Sequence, residues 1–387
     1  MKIISGGICA VEGVLAGGLK EGRNGLALIA AEGNIAGVFT RNKIKAAPLV
    51  LTKEVVRGGK VSAIVANSGC ANAYTGERGI KDARKMAEIA AGKLGVDAKR
   101  VAVASTGVIG KFLDLQLIKS QIDRTSVSSS PGAAESAARA IMTTDTRPKQ
   151  FSVEVSGAHI GGMAKGAGMI SPSLATMISF IFTDASFSPP ELQNALEKAV
   201  DISFNMISVD GDTSTNDTVL LVSTNRKKIS QAKFQSALNH VCVSLAKMIP
   251  QDGEGATKFI ECRIRSAKND TDARKAAKAV INSPLVKTAF FGADPNWGRI
   301  VSALGKSSAA LNPERLTLKL SDGKNVVILV ETGKATGRLE EAKKIMESKE
   351  IAITVDLGVG KGEATAWGCD LSYDYVKINA GYLTGRT

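Results

Sequence analysis

Short apolar runs set off by glycine turns, giving way to amphipathic helical patterns, confine this chain to folds that layer helices on sheets. GLALIAA (25–31), IAGVFT (35–40), APLVLT (47–52) and VSAIVAN (61–67) each have the length and apolar content of a strand. The stretch 77–95, ERGIKDARKMAEIAAGKLG, then switches to the helical period: Ile80, Ala83, Ala87, Ala90 and Leu94 share one face, and Gly95 suits a C-cap. VAVAS (101–105) reads as a buried strand running into TGVIG, and 133–142 as a helix ending in the polar cluster TTDT. FSVEVSG alternates like a strand, and MISFIFTDA (177–185) reads as a fully buried one. Beyond it, helical patterns near 190–202, 230–248, 271–281 and 338–347 interleave with TVLLVS, FIECRI, NVVILVE and IAITVDL. The alternation implies an α/β or layered α+β architecture. A chain of 387 residues holds about two to three domains, and the polar stretch AKNDTDA (267–273) is the expected boundary.

Composition removes several classes of function. The five cysteines are scattered and never in C-x-x-C spacing, which argues against a disulfide framework or a zinc site. Only two histidines occur. His240 lies in a helical pattern, and His159 reads as a turn between two strands, so the general base is expected elsewhere. The net charge of +13 invites a nucleic-acid reading. However, the first 175 residues carry 23 Lys+Arg against 13 Asp+Glu and the remainder 27 against 24, spread thinly and without an interleaved aromatic stripe for base stacking. No apolar run reaches the ~18–20 residues of a membrane helix. Gly6, Gly7 and Glu12 break the opening stretch as a signal peptide, so the expected location is cytoplasmic.

Glycine and acidic clusters offer no phosphate or metal motif. GGMAKGAGM has its glycines at 161, 162, 166 and 168, which does not fit G-x-G-x-x-G. The G-K-S at 305–307 lacks the earlier P-loop glycine, since position 300 is Ile300. VDGDTSTND (209–217) has D-x-D spacing but no distal Glu of an EF-hand loop, and reads as a polar loop.

The run KGAGMISPSLATM (165–177) is too apolar for a solvent loop and too broken by glycine and Pro172 for a regular element. A threonine hydroxyl is a weak nucleophile without an adjacent base. Thr176 could obtain one from its own α-amine, freed if the preceding peptide bond is cut. Such an amine has a pKa of about 7.7–8.0, against about 10.4 for lysine, and is the better base near neutrality unless burial depresses Lys165. Small Ala175 leaves room for the hydroxyl to attack its own preceding carbonyl. From the residues alone, a glycine-rich turn before a buried strand, with Thr176 as a strand-start residue, is the favoured account of the run.

The pattern K-G-x-G-M-x-x-P-x-x-A-T-M resembles the signature of the glutamate N-acetyltransferase (ornithine acetyltransferase) family of arginine biosynthesis. Further segments similar to that family occur in order along the whole chain: NSGCANAYTG (67–76), STGVIG (105–110), IMTTDT (141–146), DGDTSTND (210–217), DGEGATK (252–258), FGADPNWGRI (291–300) and INAGYLT (378–384). The resemblance implies an αββα-type sandwich domain, expected over 1–266, and a smaller C-terminal α/β domain over 267–387. It also implies self-cleavage between Ala175 and Thr176 into chains 1–175 (α) and 176–387 (β), assembled as an α2β2 heterotetramer. The implied reaction is a ping-pong transfer of acetyl from N²-acetylornithine through Thr176 to glutamate. Thr106 and Gly107 of STGVIG would stabilise the oxyanion. Substrate contacts carried over by motif are Thr143 (or its neighbour Thr144), Lys165, Thr176, Glu254, Asn379 and Thr384. In the family the last threonine ends the chain, whereas Gly385, Arg386 and Thr387 follow it here. No metal or cofactor is implied, and the motifs leave open whether acetyl-CoA serves as a second donor. NSGCANA and FGADPNWGRI are read as architectural. A related self-processing amidohydrolase, with water as acyl acceptor, is the alternative reading.

Overall fold

The structure is a computed structural model that describes residues 1–171 and 177–381. Its described residues fall into two compact units: the stretches 1–167, 177–205 and 213–249 contribute to the first, and 168–171, 206–212 and 250–381 to the second. The division therefore follows Ile249 rather than the polar stretch at 267–273. That stretch ends the strand Phe259–Ala267 and caps the helix Asp270–Ile281, where the Asn269 side chain accepts the Asp272 N–H; its polarity belongs to a helix start, not to a linker. The second unit also borrows two short segments from earlier in the chain, which no local composition could reveal.

The first unit is built on a nine-stranded sheet. Its order is Lys2–Ile3, Lys149–Val155, Ala158–Lys165, Ile178–Ala185, Thr218–Lys227, Asn24–Phe39, Lys60–Cys70 and Val101–Val108, with Val14–Glu21 paired onto Asn24–Phe39. The 16-residue strand Asn24–Phe39 pairs with Lys60–Cys70 along Gly25–Asn34, and with Thr218–Lys227 along Asn34–Phe39; a register shift between Ala30 and Gly33 marks the change. One limb of the sheet shows period-2 burial on both faces. Leu26, Leu28, Ala63, Val65, Val101 and Val103 face a core closed by Pro48–Gly58, Gly76–Leu94 and Leu115–Arg124. Ala27, Ile29, Ile64, Ala66, Ala102 and Ala104 face the other way, into a core shared with Met163, Phe180, Phe182, Leu220 and Val222 of the second limb. The far side of that limb carries the helix Gln231–Met248, and Pro189–Asp201 packs beside it. Helix, sheet, sheet and helix follow in layers, the sandwich that the family resemblance implies.

Two local expectations change. APLVLT is not a strand: Pro48 occupies the first turn of a helix, where its fixed φ and missing N–H are tolerated, and Leu51, Thr52 and Val55 repeat at helical spacing. His159 is not in a turn but in the strand Ala158–Lys165. The glycines of that strand hide it in the sequence, and they are there for clearance, since a Cβ on Gly161 would stand 2.2 Å from the Gly7 carbonyl oxygen.

The second unit is a seven-stranded sheet in the order Lys334–Ala335, Val326–Glu331, Thr317–Ser321, Glu350–Asp356, Phe259–Ala267, Gly362–Cys369 and Ile207–Ser208. Alternate residues such as Leu318, Leu320, Ile351, Ile353 and Val355 are buried. The helix Asp270–Ile281 packs on the two strands Phe259–Ala267 and Gly362–Cys369. Among the described residues, no helix is long and apolar enough to cross a membrane.

Candidate active site

Thr106 and Gly107 lie near the end of Val101–Val108, which runs parallel to Lys60–Cys70 in a register that sets Ser68 against Thr106 and Gly69 against Gly107. Gly107 has φ +129, and a Cβ there would stand 2.4 Å from the Gly69 carbonyl carbon and 2.7 Å from the Cys70 nitrogen. Only glycine fits so close to a neighbouring backbone. Thr106 is buried within the strand rather than at a helix or turn cap, and its hydroxyl lies 3.4 Å from the Lys165 ammonium. Lys165 ends the strand Ala158–Lys165 and donates to the Thr143 hydroxyl at 2.7 Å. The motif residues Thr106, Thr143 and Lys165 are thus brought together, and Thr143 is the member of the Thr143–Thr144 pair that meets Lys165.

Charges around this cluster include three that sequence reasoning did not single out. Asp145, with a fully buried carboxylate, accepts the Lys149 ammonium at 2.7 Å, the Gly166 N–H at 2.6 Å and the Thr143 N–H at 3.0 Å. Burial alone would raise its pKa. The charges of Lys165 and Lys149, with the bond from the Gly166 N–H, outweigh burial and hold it at about 2. Lys20 donates to the Met142 carbonyl at 2.6 Å and to the Ser68 hydroxyl at 2.8 Å. Burial, with Lys165 nearby and against the pull of Asp145, lowers its pKa to about 8. Three lysines around one carboxylate give a local excess of positive charge suited to an anionic group.

The loops beneath are tied by buried asparagines. Asn216 donates to the Ala71 and Ser105 carbonyls, and Asn67 accepts from the Ser105 hydroxyl. These bonds fit the architectural reading of NSGCANA and place part of DGDTSTND in the same scaffold. Cys70 is unsuited to nucleophilic work, because burial raises its thiol pKa and keeps it protonated.

In the second unit, Glu254 is 8% exposed and accepts the Asn379 amide at 2.8 Å. Asn379 sits on the helix Tyr373–Ala380. The backbone just after Glu254 is held by Asp370, which accepts the Thr257 and Lys258 N–H groups at 2.8 and 2.9 Å. The carboxylate of Glu254 lies over Gly168, where a Cβ would stand 2.3 to 2.5 Å from its atoms; this accounts for the second glycine of KGAGM. Asp210, the first residue of DGDTSTND, accepts the Met169 and Ile170 N–H groups at 2.6 and 2.8 Å. These bonds support Met169 at φ +54, a conformation uncommon outside glycine. The Tyr375 hydroxyl also donates to Asp210. Burial first, and then the carboxylates of Asp210 and Glu254, raise the phenol pKa of Tyr375 well above its ordinary value.

Ala175 and Thr176, and Thr384 near the other end, lie outside the described residues. Met177 is described, and its carbonyl accepts the Thr218 N–H at 2.9 Å. Neither histidine belongs to these clusters. His159 bonds through Nδ1 to the buried Asp184 at 2.8 Å, and His240 meets Phe151 edge-on.

A family model described as the ArgJ family matches residues 11–384. A Methanosarcina mazei protein named glutamate N-acetyltransferase is 51% identical over 395 residues, covering 99% of this chain and all of that protein. An Archaeoglobus fulgidus protein named arginine biosynthesis bifunctional protein ArgJ is 50% identical over 380 residues, covering 97% of this chain and all of its own. Among solved structures, a Bacillus halodurans chain of the same name is similar with a TM-score of 0.50 and 42% identity, over 52% of this chain and 98% of that one.

Proposed function

Because this chain belongs to the ArgJ family of arginine-biosynthesis acetyltransferases, we propose that it moves acetyl from N²-acetyl-L-ornithine to L-glutamate after cutting itself between Ala175 and Thr176. The new α-amine of Thr176 takes the proton of its own hydroxyl, and the oxygen attacks the acetyl carbonyl. The tetrahedral oxyanion is held by the Thr106 hydroxyl and the Gly107 N–H. It collapses to an acetyl-threonyl ester as ornithine leaves with the proton. The amine of glutamate then attacks the ester, and N-acetylglutamate departs as the hydroxyl is restored. We further propose that Lys165 and Thr143 receive the substrate carboxylate, and that Glu254 and Asn379 receive the ornithine side-chain ammonium. Thr384 is carried over by motif alone. The observation that carries this reading is the meeting of Lys165 with Thr143 and Thr106 beside Gly107, in a region of excess positive charge.

The processed chains, 1–175 and 176–387, are proposed to assemble as α2β2 in the cytoplasm without a metal or bound cofactor. The decisive experiment incubates purified protein with glutamate and acetylornithine, and separately with glutamate and acetyl-CoA. We expect two fragments on a denaturing gel and acetylglutamate from the first mixture. Acetylglutamate from the second would make the enzyme bifunctional. Acetate in place of acetylglutamate would identify an amidohydrolase. Thr176→Ala is expected to give one uncut chain with no transfer, and a variant that still processed and turned over would refute the mechanism.

A further inference from the structure

We infer that Asp145 is a positioning residue for this transfer: its carboxylate sets the distance between Thr143 and Lys165, the two groups proposed to hold the substrate carboxylate. The inference rests on the function proposed above. Two segments converge on the one carboxylate. One is its own stretch, from the turn at Thr143 after the helix Pro131–Ala140 to the start of the strand Lys149–Val155; the other is Gly166, just beyond the end of Ala158–Lys165. Thr143 is held by its own N–H, and Lys165 by the N–H of the residue that follows it. Gly166, at φ +148, turns the chain there, which fixes the direction in which Lys165 leaves its strand.

The arrangement is built for a permanent charge. A buried carboxylate without a counter-ion would take up a proton and lose acceptor capacity, and Lys149 is 1% exposed and bonded to it at 2.7 Å. The same turn is braced from its other side by Lys20, whose ammonium joins the Met142 carbonyl to the Ser68 hydroxyl; Ser68 stands in register opposite Thr106. Thr106, Thr143 and Lys165 are therefore indexed to one another by side chains that need not touch substrate. Positional errors of about 1 Å in such groups are enough to cost substantial activity.

Asp145→Asn keeps the shape but leaves one oxygen to serve two backbone amides, and removes the carboxylate charge bonded to the buried Lys149. The double variant D145N/K149M removes the buried ammonium together with the carboxylate, so a folded protein is recovered even where the single one is not. On folded, processed protein, with melting temperature checked, we expect KM for acetylornithine to rise roughly tenfold to a hundredfold, the equivalent of one charge-assisted hydrogen bond. The fall in kcat should be smaller. A purely structural role would lower the folded fraction, and with it the apparent kcat, while leaving KM unmoved; that result would overturn the inference. A wild-type protein that transfers no acetyl group would overturn the inference together with the function it rests on, so the two failures are told apart by the control.

Discussion

Asp145 keeps a negative charge where burial works against it, because two lysines and a backbone N–H favour the charged form. A folded-state pKa of about 2, below the ordinary carboxylate value of about 3.9, means that the group stabilises the fold above the higher value. That contribution, on the order of 2 kcal/mol, is lost as pH falls through about 4 towards 2. Thermal melts between pH 5 and 2 are expected to fall more steeply for the wild type than for D145N/K149M; parallel curves would contradict the assigned charge. At this scale the sequence shows the chemistry more readily than its support. Thr106, Thr143 and Lys165 stand inside recognisable motifs and do meet. Asp145 stands in the same motif as Thr143, with Lys149 four residues on, yet its bond from the Gly166 N–H forms only when that stretch folds against the end of Ala158–Lys165. Gly168 is similar: it is glycine because Glu254, far along the chain, lies over it.

Between elements, a buried hydroxyl does the work of a rivet. Thr52, on the helix Pro48–Gly58, donates to the Val103 carbonyl at 2.6 Å and accepts the Val103 N–H at 2.8 Å, which locks that helix to the strand Val101–Val108 leading to Thr106. Thr52→Val keeps the volume and leaves both backbone groups unpaired, so it is expected to cost about 1–3 kcal/mol in denaturant titrations. A loss within about 0.3 kcal/mol would show that water or a backbone shift replaces the hydroxyl. Elements with long, regular patterns, such as Gly76–Leu94 with its Gly95 cap and the buried strand Ile178–Ala185, were legible from the sequence. Short apolar runs were not. APLVLT satisfies either period over six residues, and only its packing decides for the helix. The strand Ala158–Lys165 was obscured because its glycines, which look like turns, serve close backbone approach.

Over the whole molecule, chain order and spatial order diverge. The layering was readable because it depends on the count and alternation of elements, whereas the division after Ile249 was not, since segments 168–171 and 206–212 join the second unit out of sequence. The same divergence governs the proposed cut at 175–176. Of the strands on either side of it, Ile178–Ala185 and Thr218–Lys227 belong to the later product, yet both lie inside the sheet. They are flanked by Ala158–Lys165 on one side and Asn24–Phe39 on the other, which belong to the earlier product. The two products of that cut would be interleaved rather than docked, and would part only if the sheet were dismantled. Exchange of partners between molecules should then run at the rate of global unfolding, over hours to days for a stable domain. Mixing isotope-labelled with unlabelled processed enzyme should yield no hybrid pairs by native mass spectrometry until denaturant is added and removed. Rapid mixing without denaturant would mean that the halves recognise each other as ordinary subunits. On the interleaved arrangement, each copy keeps for life the partner it was translated with.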